Sequence, residues 1–331
     1  MVRVAVVGLG WWGRIIVGLL GSSSKLVAVK GVDPDPRAAE FAGARGLAHA
    51  SDFREVLRDP AVDAVVLCTP HSLHCEQIVA AANARKHVFC EKPLSLSRAE
   101  VLRAIEAVKA NGVRLAVGHE KRFEPPLAEI ARLARTGALG TLLQIEANFS
   151  QDKFLTLAAD NWRLSAKEAP AGPLTATGIH LVDLSVSLMG PAETVFASVK
   201  QLGSQLANGD TLAILARFRS GGHSLISAIL ATPFDGRVAV YGSKGWAEVR
   251  DKAHFEAPQG WTLTTALRGE PKRSIDYPPA PAVLANLEAF ADAIDGRAAY
   301  PVPHEQMVAT VSALEAIAKS TRSGAVEAVE N

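Results

Sequence analysis

The chain is short of cysteine, with only Cys68, Cys75 and Cys90 among its 331 residues. Three thiols, an odd number, make no disulfide framework, so a reducing cytoplasmic setting is expected. An excess of charge is missing too, because 35 Lys and Arg stand against 34 Asp and Glu. No broad field draws in nucleic acid or an anionic membrane surface, and neither is an expected partner. No apolar run reaches the roughly eighteen residues that a membrane span needs. The chain opens straight into a strand-like run, with no secretory h-region expected ahead of it. Internal repeats and low-complexity tracts are also lacking. One short cluster, His71-x-x-His74-Cys75, has the look of metal ligands, but no second cluster completes a shell and no metal is expected. The composition, 48% hydrophobic and 21% charged, suits an ordinary globular chain long enough for two domains.

What is present begins at the N-terminus. Val2-Arg3-Val4-Ala5-Val6-Val7 is a short apolar run that stops at Gly8-Leu9-Gly10-Trp11-Trp12-Gly13, and Arg14 to Leu20 reads as helix. Strand, glycine turn and helix together form the context that gives a GxGxxG string its meaning. Gly8 permits the tight turn, Gly10 lets the backbone approach a pyrophosphate, and Gly13 lets the helix pack on the strand. The N–H groups at Trp11 and Trp12 would face the diphosphate.

A second strand ends at Asp33, about twenty residues beyond the last glycine, where a Rossmann unit carries the acid that binds the adenosine ribose. A carboxylate there accepts from the diol and repels a 2′-phosphate, and Asp35 adds to the repulsion. NAD is therefore expected over NADP. The competing reading makes Asp33 or Asp35 an N-cap for the helix from about Pro36 to Ala42.

Further buried strands at 63–68, 86–90 and 113–117 alternate with helices, the first of them a short one capped by Ser51 and a later one capped by Ser97. That alternation implies a parallel, doubly wound sheet, whose ligands bind at the carboxyl ends of the strands. The glycine turn, Thr69-Pro70, Glu91-Lys92-Pro93 and Gly118-His119 all sit at such ends. After Arg122 the pattern changes. A helix from about Pro126 to Ala134 precedes a strand at 142–149, and alternating strands follow near 193–202, 210–219, 223–231, 236–242 and 246–250. Consecutive strands of this kind imply an antiparallel sheet. The segment 251–280 is poorly periodic and reads mostly as loop, and helices at about 281–294 and 303–320 close the chain. The expectation is an α/β chain, a Rossmann doubly wound parallel sheet over 1–120 followed by an α+β domain with a mostly antiparallel open sheet over 121–331.

At Glu91-Lys92-Pro93 the sequence resembles the glucose–fructose oxidoreductase/inositol dehydrogenase family of NAD(P)-dependent enzymes. The resemblance takes in Gly8 to Gly13, Asp33, Thr69-Pro70 with His74, Arg122 in Gly118-His119-Glu120-Lys121-Arg122-Phe123, Trp162-Arg163, and Gly178-Ile179-His180-Leu181-Val182-Asp183. It implies a Rossmann domain paired with an open-sheet domain, a substrate held between them over the nicotinamide, and a homodimer or homotetramer made through the second sheet. It implies that Cys68, Thr69, Pro70, His74, Glu91 and Lys92 join the glycine turn and Asp33 in holding the cofactor. Lys92 and His180 would be catalytic, and Arg122, Trp162, Arg163, Thr177 and Asp183 would bind a small hydroxylated substrate.

Oxidising a secondary alcohol moves a hydride to nicotinamide and a proton to a base. A lysine beside a positive nicotinamide in a partly desolvated cleft has its pKa lowered and can accept that proton. Without the resemblance, Lys92 would read as a solvated surface cation. His180 and Asp183, spaced i, i+3, share a helix face. Many family members carry an acid four residues before the histidine, where this chain has Ala176, so Asp183 or Thr177 would have to orient His180, or Lys92 would act alone. Trp162 and Arg163 could stack on a ring and clamp an oxyanion, or simply pack together. The cysteines read as small apolar residues. The expected function is hydride transfer between NAD and a polyol, sugar or related cyclic alcohol, with aryl dihydrodiols among the candidates. Two rivals remain. One is a glycosidase that uses transient oxidation, and the other is a dinucleotide-sensing regulator without catalysis.

Overall fold

The computed structural model describes residues 1–254 and 257–330, so residues 255 and 256 of the expected loop and the last residue of the expected second domain lie outside the described residues. The chain divides into two compact units, Met1–Glu120 with Ala282–Met307, and Lys121–Pro281 with Val308–Asn331.

The first unit alternates strand and helix as the sequence predicts. Its elements are β1 (Val2–Val7), α1 (Trp11–Leu20), β2 (Leu26–Val32), α2 (Arg37–Ala44), β3 (Ala48–Ala50), α3 (Phe53–Leu57), β4 (Ala64–Leu67), α4 (His74–Asn83), β5 (His87–Cys90), α5 (Arg98–Ala110) and β6 (Leu115–Val117). The strands pair in the order β3-β2-β1-β4-β5-β6, and every pairing is parallel. Strands of such a sheet are covered on both faces, which is why β4 is a continuous buried Ala-Val-Val-Leu run rather than an alternating one. The order reverses between β1 and β4, and that reversal opens the crevice for a dinucleotide.

The second unit contains α6 (Pro125–Arg135), β7 (Leu142–Ser150), α7 (Ile179–Met189), β8 (Ala192–Lys200), β9 (Thr211–Phe218), β10 (His223–Ile229), β11 (Asp235–Gly242), β12 (Gly245–Asp251), β13 (Trp261–Leu267) and β14 (Arg273–Tyr277). After α8 (Ala282–Ile294) and α9 (His304–Ser323), the short β15 (Glu327–Ala328) completes a nine-stranded sheet of order β14-β13-β12-β11-β7-β10-β9-β8-β15. Its ladders are antiparallel except between β7 and β10. Buried and exposed residues alternate along β9, so one face of the sheet is packed and the other is wet.

Three expectations are corrected. Asp52, not Ser51, caps α3, because its carboxylate accepts from Arg54 N–H while Glu55 reaches back to Asp52 N–H. The stretch 251–280 is not mostly loop, since β13 and β14 lie within it. Trp261 and Leu263 are buried at alternate positions of β13, and their signal is hidden by flanking Gly and Pro. β14 is a charged, exposed edge, a form that discourages pairing with another chain. Finally, residues 282–307 belong to the first unit rather than to the second domain. Leu287, Phe290 and Ala291 of α8 enter the core built by β1, β2 and α1, and the Phe290 ring meets Phe89 of β5 edge-on at 5.9 Å. An amphipathic helix advertises an apolar face, not the sheet that will receive it.

Candidate active site

In the first unit the glycine turn is shaped by steric necessity. Gly8 sits at φ +88, and a Cβ there would fall 2.7 Å from the Cys68 carbonyl oxygen. At Gly13 a Cβ would overlap the Gly8 carbonyl oxygen, so α1 starts hard against the turn. Gly10 differs, because nothing lies within 4 Å of the place a Cβ would take. It is the N-cap of α1, and no side chain caps the helix there. An open backbone at an uncapped helix N-terminus fits a diphosphate. Trp11 is exposed on the first turn and Trp12 is half-buried beside it, their rings 5.5 Å apart.

Asp33 follows β2 as expected. Its Oδ2 accepts from Leu9 N–H at 2.7 Å and its Oδ1 from Asp35 N–H at 2.9 Å. Each carboxylate oxygen retains a lone pair for a ribose hydroxyl. The N-cap alternative for Asp33 does not hold, since α2 begins after Pro36 without a side-chain cap. Asp35 instead binds Arg37 through both carboxylate oxygens, which together with the Arg37 backbone N–H hold its carboxyl down to about 2.

The turns after β4 and β5 are tied together. His74 is fully enclosed, with Nδ1 2.8 Å from the Pro93 carbonyl and Nε2 3.0 Å from the Thr69 carbonyl. Expected to contact the cofactor, it lies behind the turns that carry Thr69, Pro70 and Lys92 and shapes them from within. Thr69 Oγ1 donates to Gln77 Oε1 at 2.6 Å. Cys68 is half-buried in this turn, while Cys75 and Cys90 are buried. The Lys92–Pro93 bond is cis, and Lys92 itself is half-buried. Glu91 is buried beside it, and burial and the charge of Glu120 push its carboxyl up to about 7 against the opposing pull of Trp12 and Lys92.

The second unit holds the other set. A π-helical turn, Leu174–Gly178, leads into α7, which carries His180 as its second residue and Asp183 as its fifth. Such turns recur at functional sites. The Asp183 carboxylate is committed to an ion pair. Arg122 grips it with Nε and Nη2 at 2.6 Å each, and Thr310 Oγ1 donates to Oδ1 at 3.3 Å. A carboxylate this deeply buried needs a counter-charge, so Arg122 and Asp183, both expected to bind substrate, bind each other. Thr177 is also buried, and its hydroxyl donates to the Pro173 carbonyl within the turn. Ala176, where the resemblance implies an acid, is the half-buried position of the same turn. Trp162 and Arg163 stack on one another, with the guanidinium carbon 4.2 Å from the ring centroid.

Around His180 the fold gathers residues that carried no sequence signal. The Phe149 ring lies 6.0 Å from the His180 ring, 6.3 Å from His254 and 5.0 Å from Lys121 Nζ. Lys121 is buried between Glu124 and Asp251, at 3.2 and 3.3 Å. His254 has Nδ1 2.9 Å from Lys153 Nζ and Nε2 2.8 Å from Gln151 Oε1. An ammonium can only donate, so Nδ1 accepts and Nε2–H donates, the neutral tautomer. Burial and the charges of Lys153 and Lys121 agree, lowering His254 to about 4. His254 lies in an aperiodic stretch, and a lone histidine there is silent in sequence. Among the described residues no group of His, Cys, Asp and Glu could hold a metal ion, and no helix is long and apolar enough to cross a membrane.

Comparison with known proteins matches these two parts separately. Residues 2–119 match the family described as "Oxidoreductase family, NAD-binding Rossmann fold", and residues 127–248 match the "GFO/IDH/MocA C-terminal domain". The uncharacterized oxidoreductase YrbE of Bacillus subtilis is 35% identical over 206 residues, 60% of this chain and 58% of that protein, so the match spans less than two-thirds of that relative. Myo-inositol 2-dehydrogenase of Thermotoga maritima is 34% identical over 255 residues, 73% of each chain. Among solved structures, aldose-aldose oxidoreductase from Caulobacter crescentus superimposes with a TM-score of 0.86 at 25% identity, over 99% of both chains.

Proposed function

The chain belongs to the Gfo/Idh/MocA family of NAD(P)-dependent oxidoreductases, and on that premise we propose that it oxidises a secondary alcohol of a polyol, sugar or related cyclic compound. The observation that carries this reading is the first unit's open, uncapped glycine turn after β1 together with Lys92 on the turn after β5, two strands along the same parallel sheet. The dinucleotide supplies the hydride acceptor when bound. Gly8, Gly10, Trp11, Trp12 and Gly13 would hold its diphosphate, with Cys68, Thr69, Pro70 and Glu91 forming the strand-end turns around it. Lys92 takes the hydroxyl proton, and His180 binds the substrate hydroxyl or, in the reverse reduction, protonates the carbonyl oxygen. Trp162 and Arg163 present a stacked aromatic and cation to the substrate ring.

Asp33 supports NAD as the preferred form. Its carboxylate, with Asp35 two residues on, faces a ribose diol favourably and a 2′-phosphate unfavourably. A homo-oligomer is proposed through the wet face of the second sheet. Phe196, Leu215 and Leu225 stand opposite one another on β8, β9 and β10 and are 40%, 41% and 43% exposed, an apolar row across three strands. Cys68, Cys75 and Cys90 form no disulfide among the described residues, which suits a reducing compartment.

No observation favours the glycosidase or the sensor reading. The test is a screen of purified protein with NAD against polyols, aldoses, uronic acids and dihydrodiols, following NADH absorbance. Growth of absorbance with one class names the substrate. Release of an aglycone without net NADH would favour the glycosidase instead.

A further inference from the structure

Residues 151–178 join β7 to α7. They carry Trp162 and Arg163 and end in the π-helical turn ahead of His180. Before that turn the segment holds only short 3-10 turns, Lys153–Thr156 and Trp162–Leu164. Such turns bond to their own neighbours and do not fix the course of a long connection. Asn161 caps the second one, its Oδ1 accepting from Arg163 N–H at 3.0 Å. That bond orders the turn and leaves its place to be set from elsewhere.

Its place is set by the connection between β8 and β9. Asn208 Nδ2 donates to the Arg163 carbonyl at 2.9 Å and to the Ala169 carbonyl at 3.0 Å. Of the two ends of the amide only the nitrogen carries hydrogens, so two carbonyl partners fix which way it points. Gly172 lies against the same joint, where a Cβ would fall 3.0 Å from Asn208 Oδ1 and 2.6 Å from the Gly209 carbonyl oxygen. Between Ala169 and Gly172, Ala171 is held at φ 52, a left-handed backbone that an alanine keeps only where its surroundings impose it. Asn208 is 8% exposed, so water does not readily replace its amide. The connection is itself locked around the fully buried Asp210. That carboxylate accepts from Leu202 N–H at 3.0 Å, Gly203 N–H at 2.9 Å, Ser204 Oγ at 2.7 Å and Thr211 Oγ1 at 2.9 Å.

Resting on the reading above that Trp162 and Arg163 meet the substrate, we propose that Asn208 is a positioning residue for substrate recognition. One amide ties the Trp162–Arg163 arm to the backbone that runs into the His180 turn, and so sets how the stacked pair stands relative to α7. Asn208 acts through the arm and not on the reacting atoms. Its contribution falls on substrate affinity, and dinucleotide binding in the first unit does not depend on it.

The test begins without substrate. Hydrogen exchange of the full chain, read by mass spectrometry, compares the wild type with Asn208→Asp, which keeps the side-chain shape and loses both N–H donors. Amides of residues 161–172 should exchange roughly ten-fold faster in the variant, while those of β1, β4 and β5 keep their rates. With a substrate found by NADH absorbance, Asn208→Asp should raise KM roughly ten-fold and hold kcat within a few-fold. Truncating the arm by Trp162→Ala with Arg163→Ala should also raise KM, and adding Asn208→Asp to that protein should change little, because the groups it positions are already gone. If Asn208→Asp does not fold, Asn208→Ala, which also lacks the donors, takes its place. Unchanged exchange over 161–172, a wild-type KM in the Asn208 variant, or a KM effect that multiplies in full on the truncated arm overturns the proposal and leaves the reading of the arm intact. A wild-type KM in the truncated arm, or no oxidation of any substrate class, overturns both.

Discussion

Arg122 and Asp183, separated by 61 residues in sequence, form a buried two-pronged ion pair, with both hydrogen bonds at 2.6 Å. Removing one partner strands the other charge away from water. Arg122→Ala should therefore cost about 3–5 kcal/mol of stability. The double replacement Arg122→Met with Asp183→Leu should recover most of that, because no uncompensated charge is left. Urea unfolding midpoints of the three proteins measure it. An Arg122→Ala protein as stable as the parent would mean that the pair contributes nothing.

A buried carboxyl and a half-buried imidazole should pull the pH dependence of stability in opposite directions. Burial and Glu120 raise Glu91 from 4.5 to about 7. Its carboxylate is disfavoured in the folded state, so this contribution is intact below pH 4.5 and is lost as pH rises through 7. Burial and two lysines lower His254 from 6.5 to about 4. Its contribution is intact above pH 6.5 and is lost as pH falls through 4. Melting temperatures across this range should show Glu91→Gln flattening the loss towards neutral pH and His254→Gln flattening the loss towards acid. Variants whose profiles parallel the wild type would contradict both assignments.

Much of this was legible in sequence, and the exceptions share a cause. β1, β4 and β5 are apolar runs because a parallel sheet is covered on both faces, and β9 alternates because its sheet has one wet face; both signals are local. The glycine turn and Asp33 were legible because strand, glycine string and helix, with an acid about twenty residues on, recur at fixed spacing in a Rossmann unit. The Arg122–Asp183 pair, the Lys121–Glu124–Asp251 cluster and the His254–Lys153 contact are made by residues brought together only by folding. No periodicity marks them. For α8 the apolar face was visible, but its attachment to β1 and β5 was not. His74, whose cofactor contact is implied by the resemblance alone, is enclosed against the Thr69 and Pro93 carbonyls, and those neighbours are set by tertiary structure alone.

Asp33→Asn tests the choice of dinucleotide. Loss of the charged acceptor should weaken NAD binding roughly ten- to a hundred-fold, and the removal of repulsion should raise NADP relative to NAD. Calorimetry with the two cofactors gives both ratios. An unchanged NAD to NADP preference would take Asp33 out of the ribose site.

The apolar row on the second sheet makes a claim about assembly. Leu215→Lys places a charge at its centre, opposite Phe196 and Leu225. Light scattering should find the wild type as a dimer or tetramer and the variant as a smaller species. A monomeric wild type would remove the proposed interface.

The central claim is that Lys92 carries the proton in an NAD-dependent oxidation. Once a substrate is identified by NADH absorbance, Lys92→Ala should lower turnover by roughly a hundred- to ten-thousand-fold while calorimetry finds NAD affinity within a few-fold of the wild type. A Lys92→Ala protein that turns over at near the wild-type rate would contradict it.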